Sequence, residues 1–225
     1  MATIVGSGKY TYEVHEDWAR LPEGVEMKAA AVAVDSQDRV YCFNRVDEHP
    51  ILVFDRDGNF LSSWGAGLFR FPHAIRVDEQ DHLWLTDGHH MQFMKFTTDG
   101  RLLQTIGTKG QRSDTGVPAD DYSSAAWKKV THGGGPFNIP TDIALAPSGE
   151  MFMSDGYGNA RVHKFSPEGS TSSPGVNRAT HRGSSICRTG SGSIAVAVCA
   201  WPTGKTTGYR SSIRTASCSP SGRPS

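Results

Sequence analysis

Three stretches of this chain follow one pattern, and that self-similarity limits the fold more than any other feature of the sequence. The first runs through Ala31-Val32-Ala33-Val34-Asp35, Arg39-Val40-Tyr41 and Leu52-Val53-Phe54-Asp55-Arg56-Asp57-Gly58. The second runs through Pro72-His73-Ala74-Ile75-Arg76-Val77-Asp78, His82-Leu83-Trp84-Leu85-Thr86-Asp87 and Phe93-Met94-Lys95-Phe96-Thr97-Thr98-Asp99-Gly100. The third runs through Pro140-Thr141-Asp142-Ile143-Ala144-Leu145, Glu150-Met151-Phe152-Met153-Ser154-Asp155 and Val162-His163-Lys164-Phe165-Ser166-Pro167-Glu168-Gly169. Apolar and polar residues alternate within each, the period of a half-buried strand. Asp-Gly or Glu-Gly turns close them, glycine supplying the positive φ.

The Asp57-Gly58 and Asp99-Gly100 turns are 42 residues apart, within the ~40–50 residues of a four-stranded propeller blade. Helical periodicity is absent. The chain therefore reads as an all-β propeller with about three blades over residues 30–169, preceded by a lead-in over 1–29. A polar insertion, 108–135, separates the second and third segments and reads as a long loop over one face. Because a blade cannot bury both faces alone, a closed ring takes ~4–8 blades. With three, open edges and uncovered faces are expected to promote aggregation.

Charge is balanced at 23 basic and 23 acidic residues, which argues against a nucleic-acid or membrane-surface partner. No apolar run is long enough to span a bilayer, and Met1–Tyr10 has no signal-peptide pattern, so a cytoplasmic location is the expectation. Only Cys42 of the four cysteines lies in the repeats, which argues against a disulfide framework.

From Ser170 the composition turns to Ser, Arg, Gly, Thr and Pro, and residues 170–225 read as a tail outside the fold, disordered as written. The genetic code allows a sharper reading, in which the tail is a blade out of frame. Each hidden codon takes the last base of one residue and the first two of the next. Trp201-Pro202 then hides alanine, and Trp201 to Tyr209 permits Val-Ala-Asp-Arg-Glu-Asn-Asn-Arg-Val, the form of Ser154 to Val162. Pro174 to Ala179 permits Ser-Trp-Gly-Glu-Pro-Gly, Gly183 to Ser191 permits a Leu-Pro-His-Gly-Ile stretch, and Ile213 to Ala216 hides Asp-x-Asp-Gly. Several matches in order at blade spacing point to a one-base frameshift between Phe165 and Gly175, with a fourth blade encoded but not made.

Ser154-Asp155-Gly156-Tyr157-Gly158-Asn159-Ala160-Arg161-Val162, with Phe71-Pro72-His73-Ala74-Ile75 and Phe43-Asn44-Arg45, resembles the peptidyl-α-hydroxyglycine α-amidating lyases, six-bladed NHL-repeat propellers. The resemblance covers roughly Val32 to Gly169. It implies cleavage of a C-terminal α-hydroxyglycine to a peptide amide and glyoxylate, so the substrate would be a peptide C-terminus or a small molecule. By the same resemblance, His73 matches a zinc ligand, Tyr157 the catalytic base and Arg45 the arginine that engages substrate. Val32 and Ile75 match positions whose backbone carbonyls hold a structural calcium. Zinc of this kind lowers the pKa of a bound hydroxyl, and a tyrosinate beside cations takes the proton. Such a site needs three protein ligands. With the second histidine in the hidden blade and the third in a later one, the chain as it stands is expected to be inactive and not to hold either metal stably. Animal members carry cysteine where this chain has Gly158, a departure that fits an intracellular bacterial-type relative.

The main alternative is a non-catalytic NHL propeller that binds a peptide or small ligand in its channel. Residue by residue, His73 also reads as a channel-facing residue without metal, Tyr157 as a packing aromatic, and Arg45 as a partner of Asp47 or Glu48. Asp155, Asn159 and Arg161 read as blade scaffolding, and His89, His90 and His132 as solvated loop residues. Gly133-Gly134-Gly135 lacks the Lys-Ser or Lys-Thr and the helix of a phosphate loop.

Overall fold

A computed structural model describes residues 3–123, 125–176, 184–188, 194–198 and 214–216. A hairpin of β1 (Thr3–Ser7) and β2 (Tyr10–Val14) leads into three four-stranded antiparallel sheets. The first sheet is β3 (Ala29–Val34), β4 (Val40–Asn44), β5 (Ile51–Phe54) and β6 (Phe60–Trp64). The second is β7 (Pro72–Val77), β8 (Leu83–Asp87), β9 (Gln92–Phe96) and β10 (Leu102–Ile106). The third is β11 (Asp142–Leu145), β12 (Met151–Asp155), β13 (Arg161–Phe165) and β14 (Thr171–Val176). Each is a meander of neighbouring strands, and the inner strands β3, β7 and β11 lie side by side around the channel. These are three propeller blades.

The blade turns close on their own side chains. Asp35 accepts the amides of Gln37 and Arg39, Asp78 those of Gln80 and His82, and Asp55 those of Asp57 and Asn59. Position four of the first turn of each blade is left-handed: Asp38, Asp81 and Gly149 have φ of 61°, 59° and 82°. Aspartate tolerates that region better than most side chains.

Alternation sends each strand's side chains to two different interfaces. Tyr41, Phe43, Ile51 and Val53 meet Ile75, Leu83, Leu85, Met94 and Phe96 between the first two blades. Trp84, Met91 and Phe93 meet Phe137, Ile143, Met151, Met153 and Phe165 between the second and third. Each such side chain contributes about 1.5–3 kcal/mol on burial. Between blades two and three, Arg76 also donates to both carboxylate oxygens of Asp142, at 3.1 and 2.6 Å.

The upstream face of blade one is covered in part by the lead-in. Cys42, Leu52 and Phe54 pack under Trp18, Ala19, Leu21 and Val25. Nearer the channel, Val32 and Val34 are 59% and 52% exposed, whereas Ile75 and Val77, at the same places in blade two, pack on blade one. Among the described residues no helix is long and apolar enough to cross a membrane.

The third blade takes its outer strand from Thr171–Val176, and a three-stranded sheet follows among the described residues: β15 (Ser184–Arg188), β16 (Ile194–Val198) and β17 (Arg214–Ala216). The Thr171–Val176 strand pairs with the edge that β13 would otherwise leave open. The Trp201–Tyr209 segment of the frame reading lies outside the described residues.

Candidate active site

The strand ends that start β7 and finish β4, β8 and β12 meet at one end of the channel. There Asn44, Asp87 and Asp155, all fully buried, tie successive segments together. Asn44 accepts the Lys28 amide at 2.5 Å and donates to the carbonyls of Glu26 and His49. Asp87 accepts the amides of Arg70, Phe71, His89 and His90 at 2.7–3.1 Å, and His90 Nδ1 lies 2.9 Å from it. Asp155 accepts from the Asn138 amide and from Asn159 Nδ2. The Asn159 side chain in turn exchanges two hydrogen bonds with the Gly134 backbone. Asp155 and Asn159 thus act as scaffold.

Arg45, His73 and Tyr157, which are distant in sequence and come from successive blades, converge here. The His73 and Tyr157 rings meet edge to face at 5.6 Å. Arg45 donates from Nε to the Pro72 carbonyl at 3.1 Å, and its guanidinium lies 4.5 Å from the Phe71 ring centre. It turns toward His73's neighbours rather than toward Asp47 or Glu48. Arg45 also lines a polar groove with Glu26, Lys28, Asp47, Glu48 and His49. Burial pushes the His73 pKa down to about 4, the charges of Arg45 and His89 push the same way, and a hydrogen bond to the Thr141 backbone opposes them. The imidazole is therefore neutral at physiological pH, with a lone pair to offer.

Two of the histidines expected in solvent are not there. His89 stacks on Phe71 at 4.2 Å with 10° between the rings, and meets Tyr122 edge to face at 4.7 Å. His90 is drawn in against Asp87. His132 stays half exposed, 2.9 Å from Thr131 Oγ1. The physical reason is the buried Asp87, which folds the 88–91 turn back on itself. Burial, then the positive charges of Arg70, Arg112 and His90, hold the His89 pKa down against the pull of Asp87.

Residues 111–131 are organised by their own contacts and reach this end through Tyr122. Arg112 binds Asn138 Oδ1 and the carbonyls of Pro118, Ala119 and Asp121. Thr115 Oγ1 donates to the Gly158 carbonyl at 2.5 Å. Arg112 and Arg70 lie 4.6 and 5.7 Å from the Tyr122 ring centre. A short 3-10 turn, Ala126–Lys129, follows. The glycine run serves close approach, since a side chain at Gly133 would collide with the Arg161 guanidinium. Gly158 is required for the same reason: a Cβ there would lie 2.6 Å from the Asn138 carbonyl oxygen and closer still to its side chain. Tyr122 and Asn138 escaped the sequence reading because nothing in the repeat marks them, whereas Phe71 and His89 were named there without a place in the site.

Metal geometry is incomplete. Among the described residues no group of three His, Cys, Asp or Glu converges. His73 alone therefore does not fit a three-histidine zinc centre. Val32 pairs with Cys42 and Ile75 with Leu85 at matching places on inner strands, and Ile143 is their counterpart in blade three.

No family model matches the chain. It is similar to a probable peptidyl-alpha-hydroxyglycine alpha-amidating lyase of Caenorhabditis elegans, 29% identical over 135 residues, covering 60% of this chain and 33% of that protein. A Drosophila melanogaster peptidyl-alpha-hydroxyglycine alpha-amidating lyase is 32% identical over 128 residues, covering 55% and 20%. The peptidylglycine alpha-amidating monooxygenase of Rattus norvegicus is 29% identical over 194 residues, covering 72% and 18%. The chain thus resembles these lyases and spans a third or less of the length of the curated relatives it matches. Among solved structures, a streptogramin B lyase aligns with a TM-score of 0.54 at 12% identity, covering 83% of this chain and 51% of that one. A chain of a nidogen/laminin complex also gives 0.54 at 12% identity, covering 83% and 60%. At such identities the likeness is one of fold, and it is a propeller fold.

Proposed function

We propose that this chain carries the substrate-engaging part of a peptidyl-α-hydroxyglycine lyase site. The observation that carries the reading is the convergence of Arg45, His73 and Tyr157, from successive blades, at one end of the channel. In the reaction, base removes the proton of the α-hydroxyl, the C–O bond becomes the carbonyl of glyoxylate, and the C–N bond breaks with a proton returning to nitrogen. Arg45 suits the substrate carboxylate, because a guanidinium without a carboxylate partner binds one in a bidentate manner. Tyr157 suits the proton transfer, since its ring stands against His73 over the same space.

Zinc on His73, and calcium on the Val32 and Ile75 carbonyls, belong to the proposal only with ligands from outside the described residues. No step is assigned to them. The chain alone should therefore bind substrate-like peptides without turning them over. A one-base frameshift between the codons of Phe165 and Gly175 accounts for the missing ligands, and sequencing of that DNA tests it directly. A non-catalytic ligand-binding propeller is the second reading, since among the described residues no three metal-ligating side chains converge.

The test is calorimetric binding of acetyl-Gly-Gly together with an assay of glyoxylate release from an acylated α-hydroxyglycine. Binding lost in Arg45→Gln and kept in Tyr157→Phe, with no release, is expected. Zinc-dependent release by this chain, or binding indifferent to Arg45→Gln, would sink the reading. In a repaired chain, turnover dependent on Tyr157 selects the lyase over the binding propeller.

A further inference from the structure

The cations of this chain fall into two groups. Those that hold the fold have carboxylate partners: Arg39 with Asp35, Arg76 with Asp142, Lys95 with Asp78, Lys129 with Asp121 and Lys164 with Glu150. At the site end, Arg45, Arg70 and Arg112 form no ion pair among the described residues. Instead they flank a run of aromatic rings. Arg45 faces Phe71, Phe71 stacks on His89, His89 meets Tyr122, and Arg112 and Arg70 lie over Tyr122. Of the carboxylates near them, Asp87 is buried and already accepts four backbone amides, while Glu26, Asp47 and Glu48 line the groove at Arg45 and form no ion pair with it among the described residues.

The two ends of the run differ in what they have left to donate. Arg112 uses Nε, Nη1 and Nη2 on Asn138 and on loop carbonyls, so it supplies charge but no free fork. The Arg70 side chain is exposed, and its only described contact is with the Tyr122 ring. A flat aromatic platform orients a guanidinium and leaves its N–H edge open to an anion.

We propose that Arg70, carried on Tyr122 and backed by Arg112, forms a second carboxylate subsite. It selects peptides with an acidic residue just before the C-terminal α-hydroxyglycine whose carboxylate Arg45 takes. This rests on the function proposed above. It assigns the insertion a task, since Tyr122 and Arg112 both come from it, and it makes Phe71 and His89 the spacer between the two anion sites.

The experiment compares acetyl-Glu-Gly with acetyl-Gln-Gly by calorimetric titration of the full chain at low salt. These probes differ only in the charge of the side chain. The glutamate peptide should bind about tenfold more tightly, the scale of one added charge-assisted contact. The difference should shrink in Arg70→Gln and, independently, in Tyr122→Leu, and should persist in Arg101→Gln, an exposed arginine in the turn before β10. Salt at 0.5 M, roughly halving the screening length relative to physiological strength, should also reduce it. Equal binding of the two probes, or a preference untouched by Arg70→Gln, overturns the subsite and leaves the lyase reading standing. Failure of both probes to bind overturns the two together.

Discussion

Placing the animal relatives' cysteine at position 158 should unfasten the site. Asn138 is fully buried and makes five hydrogen bonds. Its amide donates to Asp155, its Nδ2 to the Ser113 carbonyl and Thr115 Oγ1, and its Oδ1 accepts Arg112 Nε and Nη2 at 3.0 and 2.7 Å. A Cβ at Gly158 would sit 2.5 Å from Asn138 Cγ, so the side chain has to leave its pocket. Two of the lost bonds come from a charged donor, worth about 1.5–3 kcal/mol, and each buried group left unpaired costs about 1–3 kcal/mol. Allowing for relaxation, Gly158→Ala should lose about 3 kcal/mol and Gly158→Cys no less. Urea unfolding followed by tryptophan fluorescence measures this, with Gly135→Ala as control, since nothing lies within 4 Å of a side chain there. Hydrogen exchange should show the 111–123 stretch losing protection first. If Gly158→Ala unfolds within about 0.5 kcal/mol of the parent, the steric argument is wrong.

Three further outcomes are expected. His73 should make the fold less stable in acid. Its folded pKa of about 4 lies below the ordinary 6.5, so the unfolded chain takes up a proton that the folded chain refuses. Stability should fall between pH 6.5 and 4 by at most about 3 kcal/mol, and His73→Gln should flatten that slope in urea titrations at several pH values. Arg76→Met should cost about 1–3 kcal/mol, because it leaves the buried Asp142 carboxylate without its bidentate partner, and the shift in urea midpoint reports it. Cys42, buried with its thiol pKa raised by burial to about 11, should stay unalkylated at pH 8 until the chain is denatured, as peptide mass mapping would reveal.

What could be read from the sequence was what repeats. Strand alternation and the Asp-Gly turns gave the three sheets, because period and turn chemistry are local properties. Arg45, His73 and Tyr157 were legible only through the resemblance; nothing in their spacing says that three successive blades bring them to one channel end. His89 and Tyr122 were hidden for a different reason. Their contact joins a tight turn of blade two to a loop of no periodicity, and such pairings have no local signature. Gly158 was visible as a departure from a family pattern, but its cause, the Asn138 side chain behind it, appears only in three dimensions.

The self-closing turns described above have a consequence for how such a chain can change. A residue added inside a turn sealed by Asp35, Asp55 or Asp78 would pull amides from their carboxylate and slip the strand by one, exchanging its two faces. The links between blades, residues 65–71 and 107–141, set no strand register, so their exposed stretches can lengthen at lower cost than the turns, provided the buried anchors at Phe69, Arg112 and Asn138 stay in place. Those links run from an outer strand to the start of the next inner strand, and so arrive at the end of the channel where Arg45, His73 and Tyr157 meet. Tolerance to new sequence is thereby concentrated beside the chemistry, and a lineage can revise what the channel admits while every sheet stays as it was.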